Sequence, residues 1–263
     1  ILADYEGSDN YRSHVFAQGV GGPNGAGLLY DAKGNDSYFA TGREPGSYGT
    51  PGTFDGFSQG FSIGFRDVAA SGGIGILMDT GGNDRMRAGN FSQGGGYYFG
   101  IGILRNAGDG NDIYYGSRYA QGFCAHSAAG ILIDDGGDDV YRGMEGALQA
   151  AAWDLGVAAL IDKAGNDRYE SAGLFFSRGA AAHNGISLFI DMTGDDRYDF
   201  PEEPRVPGNN YHGGSSLAIF VDAGGGTDLY NGGTAGNNHI TCEEGFAITA
   251  DLEGGMKEAL ETD

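Results

Sequence analysis

Variants of one short motif, fullest at Ile131–Tyr141 as I-L-I-D-D-G-G-D-D-V-Y, return from the first residue almost to the last. The first acidic position of each copy falls at Asp4, Asp31, Asp79, Asn106, Asp134, Asp162, Asp191, Asp222 and, degenerately, Asp251. The intervals of 27, 48, 27, 28, 28, 29, 31 and 29 residues make a period of about 28, broken by one insertion of roughly 20 after Asp31. Repetition on this scale belongs to solenoids, propellers and arrays, in which each unit buries its apolar face only against its neighbours. The repeat runs without a linker, so a single elongated domain is expected.

Within a period the consensus is G-x-[IL]-L-x-D-x-G-G-N-D-x-Y, then F-[SA]-Q-G after about five residues. Short apolar runs stopped by Asp and Gly fit strands, and no segment keeps a helical apolar stripe for three turns. The fold expected is all-β: a right-handed parallel β-helix of about eight rungs, with Leu77, Leu104, Leu132 and Leu160 stacked inside. Residues 1–242 read as repeats and 243–263 as a capping segment, acidic and helix-prone at 255–261, that covers the last open edge.

Several columns of like residues follow from the register. Tyr11, Tyr38, Tyr114, Tyr141, Tyr169, Tyr198 and Tyr230 align, with Met86 in the third rung; Phe16, Phe57, Phe91, Tyr119 and Phe176 form a second aromatic column, broken by Ala147. At a strand spacing of about 4.8 Å such rings can stack along the axis, as core packing or as a sugar-stacking surface. Gln18, Gln59, Gln93, Gln121 and Gln149 form a ladder in which Arg178 takes the next place. Insertions at Thr41–Thr53 and Pro201–Asn210 leave the same part of the rung and are expected to wall a trough.

Composition narrows the class. Glycine supplies 52 of 263 residues, but only six prolines and a 40% hydrophobic content argue for turns in a packed fold rather than linkers. Acidic residues outnumber basic ones 36 to 15, which disfavours nucleic acid and anionic membrane and makes cations the natural counterpart. Cys124 and Cys242 are expected to be buried free thiols rather than a disulfide framework. There is no apolar run of membrane-spanning length. Ile1 already stands inside a repeat, so a preceding segment is expected.

The turns carry the strongest chemical signal. Ala107–Tyr114 (A-G-D-G-N-D-I-Y) and Ala223–Tyr230 (A-G-G-G-T-D-L-Y) resemble the calcium turns of the RTX family, whose repeat is G-G-x-G-x-D-x-L-x. Alanine replaces the first glycine in both, turns such as Gly81–Arg85 are one residue shorter, and the 28-residue period departs from the family's nine. What the resemblance implies is calcium held by the turns.

Electrostatics points the same way. The pairs Asp31/Asp36, Asp79/Asp84, Asp134/Asp139, Asp162/Asp167, Asp191/Asp196 and Asp222/Asp228, with Asp112 beside Asn106, repeat at rung spacing. Neighbouring copies would repel by roughly 3 to 4 kcal/mol at an effective dielectric of about 20. A cation, protonation or turn N–H groups must offset this. Calcium suits oxygen-rich turns; self-capping by Asp is the alternative.

A second constellation appears on alignment: Tyr98, His126, Asp154 and His183 stand eight residues before the aspartate of the next rung, with Arg178 five residues before His183. On one line the ends lie about 14 Å apart, too far for one metal but suited to consecutive sugar units. Two readings follow. One is an extracellular, calcium-stabilised solenoid acting as a surface, adhesive or glycan-binding module, open to lateral self-association. The other is a carbohydrate-active enzyme, a polysaccharide lyase or hydrolase, using Tyr98, His126, Asp154, Arg178 and His183.

Overall fold

The computed structural model describes residues 1–172, 176–199, 214–231, 237–243 and 247–252. The chain winds as a parallel β-solenoid of about eight turns, each turn adding a strand to successive sheets. The first sheet holds Leu2–Ala3, Ala26–Asp31, Ile74–Asp79, Ile101–Asn106, Ala129–Asp134, Val157–Asp162, Ile186–Asp191, Leu217–Asp222 and Ala247–Asp251 in parallel register. A second parallel sheet runs from Asn10–Ser13 to Leu229–Asn231, and a third, of two-residue strands, from Ser62–Ile63 to Ala181–Ala182.

Alternation decides which side chains go inside. In Ile101–Asn106 the residues Gly102, Leu104 and Asn106 are buried while Ile101, Ile103 and Arg105 face outward, the period-two pattern of a strand. Leu104 stands opposite Leu77 and Leu132, and the whole column Leu77, Leu104, Leu132 and Leu160 is fully buried, as expected. The tyrosine column packs against it. Its rings stack at 4.7 Å for Tyr114 and Tyr141, 4.8 Å for Tyr141 and Tyr169, and 5.1 Å for Tyr169 and Tyr198.

Glycine enters where chains must touch. A Cβ on Gly94, at φ +72°, would lie 2.0 Å from the Ile131 carbonyl oxygen, and one on Gly137, at φ +129°, 1.8 Å from that of Gly110. Both contacts tie a corner of one rung to the next, so no side chain is tolerated there.

The glutamines bond differently from the expected amide ladder. Gln121 Nε2 donates to the carbonyls of Tyr114 and Arg142 at 3.2 and 3.1 Å, whereas Gln93 Nε2 does reach the neighbouring amide, Gln59 Oε1, at 3.1 Å. Left-handed backbone at these residues, φ 54° to 61°, turns each amide inward over the carbonyls of the second sheet. Arg178 takes the same place, wholly buried, with its guanidinium 5.0 Å from the Phe220 ring centre.

The extra length of the second rung is split. Residues 41–53 fold over the phenylalanine column, where Tyr48 packs on Phe91 and Tyr119 and Arg118 lies 4.0 Å over its ring. The remainder, 65–71, contains a short 3-10 turn, Arg66–Val68, whose arginine reaches His126. The expected partner insertion at 201–210 lies outside the described residues, as do the helix-prone residues 255–261. Ile240–Glu243 closes the end of the first sheet by pairing antiparallel with Ala247–Asp251. Cys124 is buried, but Cys242 is exposed, against expectation, because it sits on the edge strand of this sheet, with no further strand beside it among the described residues. Among the described residues no helix is long and apolar enough to cross a membrane.

One face is unusual. The outward side of the first sheet is apolar over successive rungs, with Ile74, Ile101, Val157 and Ile186 each 41% to 49% exposed. Contiguous apolar surface on this scale marks an interaction face more often than bare solvent contact.

Candidate functional site

From Asp31 onward the paired aspartates stand at the end of the first-sheet strands and just ahead of the second-sheet strands, with Asn106 in place of one first member, and both members are buried. Asp31, Asp79, Asp134, Asp162, Asp191 and Asp222 are at most 1% exposed; Asp36, Asp84, Asp112, Asp139, Asp167 and Asp196 at most 2%; Asp228 is 7% exposed. Their oxygens have distinct partners. The first aspartate of a pair accepts a turn N–H on Oδ1, as Asp79 does from Gly81 at 3.0 Å and Asp134 from Gly136 at 2.9 Å. Its Oδ2 accepts the tyrosine hydroxyl of the preceding rung: Tyr38 to Asp79 at 2.6 Å, Tyr114 to Asp134 at 2.5 Å, Tyr141 to Asp162 at 2.7 Å. The second aspartate takes on Oδ1 the N–H of its counterpart one rung back, as in Asp112 to Asp139 at 2.6 Å and Asp139 to Asp167 at 2.7 Å. The tyrosine column is therefore a row of buried donors as well as a core.

These bonds leave one oxygen over. Oδ2 of Asp36, Asp139, Asp167 and Asp196 has no hydrogen-bond donor, and what it faces is more carboxylate. Asp36/Asp79/Asp84, Asp112/Asp134/Asp139, Asp139/Asp162/Asp167 and Asp167/Asp191/Asp196 each bring three carboxylate oxygens within 4.8 Å of one another, and Asp9/Asp31/Asp36 does the same at the first rungs. Burial, reinforced by the neighbouring charges, pushes the Asp139 carboxyl up to about 11, Asp167 to about 10 and Asp112 to about 9. Each triad thus needs a proton or a cation. Turn self-capping is present, but it satisfies only Oδ1 of the first aspartate, and Oδ2 of the second is left without a donor. The donor set is hard and anionic, suited to a cation such as calcium, with water and backbone carbonyls completing its usual six to eight ligands. Two carboxylates per rung and one divalent cation sum to zero charge.

The second candidate lies at the corner between the third and first sheets. Tyr98, His126, Asp154 and His183 all have left-handed backbone, φ 45° to 62°, and so do the residues that follow them. Paired left-handed residues without glycine cost on the order of 1 kcal/mol or more each, and here they make the sharp corner that lines the column up. His126 Nδ1 bonds Asp154 Oδ2. Arg66, from the 3-10 turn, donates from Nη1 to His126 Nε2 at 3.2 Å. A guanidinium has no acceptor, so Nε2 must hold the lone pair and Nδ1 the proton directed at Asp154.

Arg66, His126, Trp153, Asp154 and His183 line a hollow of about 230 Å³. A larger, shallower one of about 660 Å³ adjoins it through Arg66 and includes Phe65, Asp67, Tyr97 and Tyr98. The Trp153 and His183 rings meet at 4.3 Å, and Tyr97 stands edge-on to His126 at 5.0 Å. His126, Asp154 and His183 are therefore brought together as the alignment implied, and Tyr98 lies one hollow away. Arg178 does not reach this corner: its place in the glutamine ladder points it into the core. The cation at the hollow is Arg66. Its signal in the sequence was the second part of the insertion after Asp31; Trp153 and Tyr97 were marked only by adjacency to Asp154 and Tyr98.

No protein-family model matches the chain, and neither a curated protein nor a solved structure matches it.

Proposed function

We propose that this chain is an extracellular β-solenoid stabilised by calcium along its aspartate array, serving as a surface module that binds glycan at the hollow beside Trp153. The observation that carries the reading is the row of buried aspartate oxygens without donors. Calcium is abundant outside cells, where weak sites of this kind are filled. Trp153 and Tyr97 offer rings for sugar faces, and Arg66 and His126 offer polar contacts that fix orientation. The apolar outer face of the first sheet supports lateral association with a second copy.

The test is thermal unfolding of chelated protein with calcium added back. Binding to the folded state alone raises the melting temperature with ligand concentration, by about 2.7 kcal/mol in stability at a hundredfold excess over Kd. Unchanged melting in chelator and calcium removes the reading. A second reading, a glycan-cleaving enzyme, is favoured by one feature: Asp154 orients His126 at the rim of the hollow, and its Nε2 can serve as a general base once Arg66, which now donates to it, turns to the substrate. Turnover of any acidic or neutral oligosaccharide, abolished in His126→Ala, is its test.

A further inference from the structure

One rung breaks the aspartate pattern in two places at once. The first acidic position is Asn106, and the tyrosine that should donate to it from the preceding rung is Met86, buried and in register with Tyr38 and Tyr114. The two exceptions explain each other. Methionine has no hydroxyl, so an aspartate at 106 would be a buried charge without its donor; an amide carries no charge and brings a donor of its own. Asn106 Nδ2 lies 2.7 Å from Asp112 Oδ2 and 3.4 Å from Asp84 Oδ2. Turned this way the amide offers an N–H to each carboxyl group, whereas its oxygen would add one more acceptor to a site already crowded with them.

Asp84 Oδ2 and Asp112 Oδ2 correspond to Oδ2 of Asp36, Asp139, Asp167 and Asp196, which lack a donor while at most 2% of each residue is exposed. The side chain of Asn106 therefore stands between the two carboxyl groups, against the oxygens whose counterparts in the other rungs have no donor. Resting on the calcium reading above, we infer that Asn106 is a built-in substitute for a divalent cation. The array is then divided into two blocks, one around Asp36, Asp79 and Asp84 and one from Asp112 to Asp196, and the Met86–Asn106 rung between them is held without metal. A cation at this rung would meet the amide N–H hydrogens, so the site is closed rather than merely weak.

The experiment counts calcium bound per chain by equilibrium dialysis of chelator-stripped protein, with folding followed by circular dichroism. Met86→Tyr with Asn106→Asp restores the common pattern and should bind one more calcium than the parent. Tyr114→Met with Asp134→Asn copies the exceptional rung one step along, and should bind one fewer while being less destabilised by chelator. Folded double variants that bind the same number as the parent overturn the inference and leave the calcium reading standing. Should the first variant fail to fold, the count for the second decides alone. A parent chain that binds no calcium defeats the calcium reading and this inference together.

Discussion

Removing one buried hydroxyl tests the logic of the array most directly. Tyr114 is wholly buried, its ring stacks on Tyr141 at 4.7 Å, and its hydroxyl donates to Asp134 Oδ2 at 2.5 Å. Tyr114→Phe keeps the ring and the stack and deletes only that donor. Asp134 retains the Gly136 N–H on its other oxygen, so the loss is one hydrogen bond to a buried charged group, about 1.5 to 3 kcal/mol. The assay is urea unfolding in chelator at pH 8, run as a double-mutant cycle with Asp134→Asn. In the Asn background the carboxylate is gone, as at Asn106 opposite Met86, and Tyr114→Phe should then cost under about 1 kcal/mol, leaving a coupling near 1 to 2 kcal/mol. A cost below about 0.5 kcal/mol in the parent, or equal costs in both backgrounds, would refute the assignment of the tyrosine column as donors.

Other outcomes follow from the same geometry. Asp139, Asp167, Asp112 and Asp196 have folded-state values raised to about 11, 10, 9 and 8 against about 3.9 when unfolded. The folded state thus binds more protons, so stability in chelator should be full below about pH 4 and fall as pH rises through neutrality; calcium should flatten that fall, and a urea midpoint that rises from pH 5 to 8 in chelator would contradict it. His126→Ala should leave stability within about 1 kcal/mol while removing any glycan binding or turnover. His183→Ala, at a residue 8% exposed and packed on Trp153, should cost more than that, and equal melting temperatures for the two variants would put that packing in error. Val157→Asp on the apolar face should convert any associated species to monomer in sedimentation; a parent that is already monomeric at high concentration removes self-association.

How much was legible before folding depends on what repeats. A period of 28 residues with apolar pairs ahead of Asp and Gly determined the parallel solenoid, the buried leucine and tyrosine columns, and the alignment of His126, Asp154 and His183, because stacked rungs place like positions on like positions. Strand alternation likewise required Leu132 inside and Ile131 outside. Tertiary structure decided what depends on direction and depth. The Arg178 side chain points into the core because its backbone is left-handed, and the arginine at the histidine corner is Arg66, delivered by an insertion whose path no periodicity encodes. That the Asn106 amide meets the carboxyl groups of both Asp84 and Asp112 was also invisible in the sequence, where it reads as one more variant of Asp. The turn itself brings Asp112 to the amide, six positions on, but only the closure of rung on rung brings Asp84, since a contact between residues 22 positions apart is made by the winding and not by the neighbours in the chain.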